Sequence, residues 1–478
     1  MIKYYFKYEW IGLNRDRWVA TIFTLFFVLT IFAVYNGSGK TRSSEAAISR
    51  SVHEMKALDK KYAAQIDSLA TGLMPAPESW LDPRSLSVYG QRAPRVAYMD
   101  PSPLAIIAIG QSDLYTHQVK PKMYGEASAL GFSELSNPVQ LLFGSFDLAF
   151  VCIYLLPLVV LAFSYNVLSS EKEGGLLRLT ASFPISVYTW LIGKMMLRFI
   201  IVVAVVLISI TLAIIVNGVS LTTASADLTK LFIVISAYIL FWFVLSLLVN
   251  LGGWSSGKNA VTLVSVWVIV VLLMPSVINQ MANTLYPVPS RINMIHEYRV
   301  ASAKAETQSD ENLKSYYHDH PELAPKDSLT QNQYNWWLKH FASADMSTNA
   351  IKPLLDEYNL ALEQQQKWVD RFRFASPAIL LQNSMNELAA TSPKHYANFR
   401  AQVIEFAGTW RNYFLPRMFN NENMKPEDLQ SLPKFEYKTD QVPRTWTIDF
   451  AVMILYIGLL AGFGVWAHRR ERLEQILA

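Results

Sequence analysis

Six stretches of the chain are apolar for long enough to cross a bilayer, and none carries Asp, Glu, Lys, Arg or His in its interior. They lie at 18–35, 147–168, 197–216, 231–251, 260–278 and 450–467, with Asp147, Arg198 and Asp449 only at edges. At about 1.5 Å per helical residue each matches a hydrocarbon core of about 30 Å, so each predicts a membrane-spanning helix. Alternating six spans places Arg15, Arg17, Lys172, Arg178, Lys194, Lys258, Arg469, Arg470 and Arg472 in short segments on one side. The short 217–230 loop, with Asp227 and Lys230, falls on the other side. Positive residues collect on the inner face, which predicts a multi-pass protein of a bacterial cytoplasmic (inner) membrane with both termini and the 468–478 tail cytoplasmic.

Two long polar regions then fall outside, at 36–146 and 279–449. In the first, Ile48, Val52, Met55, Leu58, Tyr62, Ile66 and Leu69 recur at helical spacing and predict an amphipathic helix continuing the first span. From 72 to 111 Pro and Gly predict loops, with a strand at 104–109. In the second, apolar spacing predicts helices at 291–317, 331–341, 350–374 and 394–414, punctuated by Pro321, Pro325, Pro353, Pro377, Pro393 and Pro416. The expected fold is all-α and polytopic: six transmembrane helices with two mostly helical external domains. Residues 1–17 mix Tyr4, Tyr5, Phe6 and Trp10 with Lys3, Lys7, Arg15 and Arg17, as an amphipathic helix on the inner membrane face does.

Composition agrees: 52% of residues are hydrophobic and only 17% charged over 478 residues, with mean hydropathy +0.19. A net charge of +4, placed beside the apolar runs, gives no footprint for a nucleic acid. The one cysteine, Cys152, lies inside an apolar run, so the external regions must hold by packing without internal disulfides. The first run is longer than a signal-peptide core and lacks an Ala-x-Ala site at its end, which predicts a retained signal anchor.

Candidate chemistry is sparse. Gly252-Gly253-Trp254-Ser255-Ser256-Gly257-Lys258 fits seven positions of a phosphate-binding loop, but Asn259 replaces the hydroxyl that would hold magnesium, and membrane spans flank it. His318-Asp319-His320 has no second ligand pair, so no metal site is expected. No nucleophile or zinc-hydrolase motif occurs, and the chain is expected not to be an enzyme. Spans without ionisable residues lack the relays of ion-driven transporters, so the energy is expected from outside the membrane. Asn166, Pro157, Asn250 and Pro275 are expected to serve helix packing.

What remains is the 169–196 loop. A charged, glycine-broken element sits without slack between two spans, as a lever does. Glu171-Lys172-Glu173-Gly174-Gly175-Leu176-Leu177-Arg178-Leu179, then Ser182-Phe183-Pro184-Ile185-Ser186 and Gly193-Lys194, resembles the signature of ABC-2-type exporter permeases, with Gly175 where Thr is common. Pro103-Leu104-Ala105 through Gly110-Gln111-Ser112-Asp113-Leu114, and Phe143-Gly144-Ser145-Phe146-Asp147-Leu148, resemble a branch with large external domains and no assigned substrate. The resemblance implies a permease subunit driven by a separate ABC ATPase, which binds the ATP and Mg while this chain holds no cofactor. It implies a second permease, self or sister, within the lipid bilayer. Glu171 and Glu173 would meet basic residues of the ATPase, with Lys172 facing away, Gly174 and Gly175 breaking the helix, and Leu176, Leu177, Leu179, Phe183 and Pro184 at its docking groove. The rival expectation is a mechanotransmitter, relaying ATPase strokes to external domains that act on an envelope partner. The isolated chain is expected to show no ATP turnover; turnover abolished by Lys258→Ala would overturn the reading of 252–259 as a simple turn.

Overall fold

The first apolar run does not end where the membrane would. In the computed structural model, α1 (Arg17–Ala70) is one helix of 54 residues, about 80 Å long at about 1.5 Å per residue. The amphipathic stretch expected to follow the first span is therefore its direct continuation. The structure describes residues 9, 11–13, 15, 17–75, 77–78, 81–110, 115–124, 146–177, 187–219, 221–324, 336–420, 422–439 and 442–470. After α1 come α2 (Leu86–Arg92), α3 (Leu148–Glu173), α4 (Val187–Val216), α5 (Leu221–Leu251) and α6 (Ser256–Leu285). Then follow α7 (Arg291–Thr307), α8 (Ser309–Asp319), α9 (Trp336–Phe372), α10 (Pro377–Leu388), α11 (Pro393–Phe419) and α12 (Trp446–Arg470). Six helices, within α1, α3, α4, α5, α6 and α12, are long and apolar enough to cross a membrane, as the hydropathy pattern requires. The strands among the described residues are a two-residue antiparallel pair, Ala97–Tyr98 with Gln118–Val119.

The spans share one core around α5, where Tyr238 and Trp242 are fully buried and which packs on α3, α4, α10 and α12. The polar regions share a second. Ile66 of α1, Leu86 and Tyr89 of α2, and Met123 pack with Phe341, Phe399, Trp410 and Phe414 of α9 and α11. The two regions read as separate external domains thus make one lobe on the same end of the bundle. Polar ties fasten α1 to it: Asp59 accepts from Tyr89 Oη at 2.9 Å and pairs with Arg95 at 2.7 Å, while Trp410 Nε1 donates to Gly90 O at 3.0 Å.

Three expectations change. The segment 104–109 is not a strand but a buried turn, with Leu104, Ile106 and Ile107 in the membrane core. It seats against Gly37 of α1, where a methyl group would collide with the Ile106 carbonyl. Asp147 fixes it, accepting from Ile109 N and from Phe150 N, each at 2.8 Å, while Ala149 N donates to Ile107 O at 3.0 Å. The two segments that carried the outer part of the family resemblance are thus bonded to each other, as far as Gly110; residues 111–114 and 143–145 lie outside the described residues. Second, the pattern separated 331–341 from 350–374, which holds Pro353, whereas α9 runs unbroken through 342–349. The carbonyl that Pro353 cannot serve, at Asn349, is on an exposed residue. Third, α10 had no counterpart in the pattern, and its Leu380, Leu381 and Met385 belong to the membrane core rather than the lobe.

Replacing Gly37 with Ala is expected to cost about 1–3 kcal/mol by overpacking, although Ala is otherwise the better helix former. Gly39, with open space around it, is the control, and Gly39→Ala is expected to be neutral or stabilising. Thermal unfolding of both variants in detergent checks the pair; equal behaviour would remove the close approach as a constraint.

Candidate functional site

Helix α3 is broken twice, and the second break makes the site. The first is a π-helical turn, Val151–Leu155, ahead of Pro157, in which Leu156 N–H reaches back to Val151 O. Pro157 offers no N–H to the Ile153 carbonyl, and Tyr238 Oη of α5 donates to it at 3.1 Å. Lower down, the helical pattern lapses into turns at 165–168. Three successive carbonyls there each receive a side-chain donor from a different helix. Arg198 of α4 donates to Phe163 O at 2.6 Å, Asn250 of α5 to Ser164 O at 2.9 Å, and Asn259 of α6 to Tyr165 O at 3.1 Å. Asn250 Oδ1 also accepts from Leu168 N at 3.2 Å. In a bilayer a broken helix persists only where such partners replace its own ladder. Asn250 thus serves packing, as its position suggested, and Asn259, read as a departure from a phosphate loop, has a structural task of its own.

Beyond the break the helix resumes for one turn, Ser169–Glu173, and stops at Gly174 and Gly175. Gly175 has φ +71°, a left-handed conformation in which a Thr would be strained. It stands between the end of the short helix and the helical residues Leu176 and Leu177.

The charges of this tip all find partners within the chain, although Glu173 stays exposed. Glu171 pairs with Lys194 of α4 at 2.6 Å. Lys194 also meets Glu9 at 3.2 Å and lies 4.6 Å from the Trp190 ring centroid, while Arg198 meets Glu9 at 2.6 Å. Two acids and two bases thus form a neutral, largely buried cluster joining the N-terminal segment, the tip and α4. Glu173 reaches the start of α6: Ser256 N donates to Oε1 at 2.7 Å, and Ser256 Oγ lies 2.8 Å from Oε2 and 2.8 Å from Ser169 Oγ. Lys172, expected to face away, is half-buried and donates to Gly253 O at 3.3 Å. Leu177 is buried in the protein's own core, and Leu176 is exposed. Leu179, Phe183 and Pro184 lie outside the described residues.

The sequence singled out Glu171 and Glu173 but not the groups that hold them. Lys194 and Arg198, four apart at the start of an apolar run, would face one way on a helix, and that spacing was the available signal. For Ser256 the signal was its place at the start of α6, but its partner is more than eighty residues away. In the 252–258 turn Lys258 lies 4.3 Å from the centroid of Trp254, and Ser255 caps α6 by accepting from Lys258 N. His318 and His320 are surface residues bonded to their own neighbours, Asp319 and Glu322.

Residues 291–438, under a third of the chain, match a family described as a domain of unknown function, DUF3526. The match spans α7 to α11 and the segment after them, and so covers α10 of the membrane core as well as much of the lobe. No curated protein matches the chain.

Burial raises the Glu9 carboxyl, but Arg198 and Lys194 outweigh it and hold the group below its ordinary value of 4.5. A carboxylate with a depressed folded pKa contributes stability above its unfolded pKa and loses it as pH falls through the folded value. A double-mutant cycle of Glu9→Gln and Arg198→Gln is therefore expected to give a coupling of about 0.5–3 kcal/mol at neutral pH. That coupling should fade as pH drops below 4.5; thermal unfolding across that window measures it.

Proposed function

We propose that the chain is the permease subunit of an ABC exporter in a bacterial inner membrane, coupling ATP hydrolysis by a separate subunit to movement of a substrate. The observation that carries this reading is the tip of α3. It is a compact polar element lying past a break in its helix, and fastened by Glu171, Lys172 and Glu173 to α4 and to the turn before α6. Force on such a tip reaches three spans at once through these side-chain bonds. Under this reading the tip faces the cytoplasm with both termini, the lobe lies outside, and ATP and Mg belong to the partner.

The bonds that both acids make within the chain alter the expected division of labour. Glu171 and Glu173 transmit, and Leu176, exposed at the end of the tip, offers the ATPase an apolar grip beside the exposed Glu173. The family resemblance assigns Leu179, Phe183 and Pro184, outside the described residues, to the ATPase groove as well. The α6 and α12 spans are the least buried in the protein, which leaves apolar faces for lipid and for a second permease, self or sister.

A second reading, relay of ATPase strokes to an envelope partner, gains support from α1. A single unbroken helix passes from the tip end of the bundle into the lobe, so tilting of the first span moves the lobe directly.

Leu176→Asp is expected to cut co-purification of an ABC ATPase with the tagged chain by more than tenfold while leaving its thermal stability unchanged. Glu173→Gln should retain the ATPase but lower its stimulated hydrolysis. Wild-type stoichiometry and activity in both variants would sink the assignment. Sidedness is checked separately by cysteines at Ser68 and Glu311 in a Cys152→Ala background: both should react with an impermeant reagent in intact cells.

A further inference from the structure

At the lobe end of the spans a cavity of about 670 Å³ opens between the 99–103 loop, α5, the end of α10 and the start of α12. Its volume falls in the range of pockets that hold small ligands. Trp446, the first residue of α12, and Lys230 of α5 lie on its wall, which places the mouth at the rim of the apolar bundle. Both signs of charge line it. Two wall groups are already satisfied: Lys230 pairs with Asp227 at 2.6 Å, and Glu387 accepts from Thr445 N and Oγ1 at 2.6–2.8 Å. Asp100 and Arg444, both exposed at the mouth, have no partner among the described residues, so one anion and one cation are free to meet a ligand there.

Two features shape the wall, and one of them, His395, is a buried polar side chain. Ala390, on the wall, has φ +56°, the one non-glycine residue beyond the left-handed boundary among those described. Its conformation is held by Ala390 N donating to Glu387 O and Thr391 N to Asn386 O, at 3.0 and 2.8 Å. These two bonds are the C-terminal cap of α10, which turns the chain sharply at the cavity wall. His395 also lines the wall, with Nδ1 held by Ser392 Oγ at 2.7 Å, leaving Nε2 as its remaining polar atom. Met99, Pro103 and Leu388 supply apolar wall beside these groups.

We infer that this cavity binds a zwitterion, an ammonium group joined to a phosphate or carboxylate, with its cation at Asp100 and its anion at Arg444. A simple anion would meet Asp100 and Glu387, and a simple cation would meet Arg444; only a ligand with both signs complements the wall. The rim position suits a phospholipid headgroup, and the same chemistry would take a soluble zwitterion. Neither depends on the chain being an exporter.

The test is titration calorimetry on the full chain in detergent with three probes: dihexanoyl phosphatidylethanolamine, dihexanoyl phosphatidylglycerol and O-phosphoethanolamine. Saturable binding of the ethanolamine lipid is expected, at least about tenfold tighter than that of the glycerol lipid, because one charge-assisted contact is worth about that much. Asp100→Asn and Arg444→Gln should each weaken it about tenfold at unchanged melting temperature, since neither residue holds a partner in the fold. O-phosphoethanolamine binding as tightly as the lipid identifies a soluble ligand, and binding of the lipid alone identifies a headgroup; either supports the site. Equal affinity for both lipids, indifference to both substitutions, or no saturable binding of either zwitterion would overturn it.

Discussion

A carbonyl that loses its helical partner inside a bilayer has no water to turn to, and the arrangement of this bundle answers that constraint at each break. In α6 a π-helical turn, Val268–Leu273, precedes Pro275, as one precedes Pro157 in α3. Met274 N–H bonds to Ile269 O, and Pro275 has no N–H, so the Val270 carbonyl is left over; Ser376 Oγ donates to it at 2.6 Å. Tyr238 does the same for Ile153, and Arg198, Asn250 and Asn259 do it for three carbonyls below. A lost hydrogen bond at a buried group costs about 1–3 kcal/mol, so these donors fix which helices neighbour which. They also explain why α10, led in by Ser376, lies against the spans.

The same constraint shapes the two ends differently. At the tip end the freed groups are satisfied by side chains from three helices, and the charged residues beyond them close on one another. The Glu9, Lys194, Glu171 and Arg198 cluster is a poor source of net stability, because desolvating four charges offsets most of their attraction. Its consequence is geometric: removal of any one member leaves a buried charge uncompensated, so the cluster holds the tip in one place. At the lobe end the buried turn 104–109 does the corresponding work through backbone groups, held by Asp147, by Gly37 and by Thr391 Oγ1, which donates to Ala108 O at 2.7 Å. Lobe and bundle therefore meet through a packed joint and through the continuous α1.

Apolar runs of span length, helical spacing along 48–69, and the lever-like composition of 169–177 were legible because each depends on neighbours in sequence. The partners of Glu171 and Glu173 were not. An acidic residue in a cytoplasmic loop has the same local signature whether it meets a partner protein or a serine eighty residues away, and a positive-inside count assigns Lys194 and Arg198 to topology alone. The resemblance to a permease signature singled out the tip, but it gave no sign that Glu171 and Glu173 bond to Lys194 and Ser256 of this chain.

By itself the sequence determined that the chain must be helical and membrane-spanning, since runs without charge can satisfy their backbone in lipid only as helices. It also determined most of the helical stretches of the 279–449 region, though not α10 or the joining of α9, and where the polar tip sits. Only the tertiary structure decided that the two polar regions share one core, that 104–109 is a buried turn, and that α9 runs unbroken past 342–349. It alone brought together Asp100 and Arg444, or Ser256 and Glu173. Those outcomes rest on side chains far apart in sequence meeting freed carbonyls, collision-free glycines and opposite charges, and such meetings leave no periodic trace along the chain.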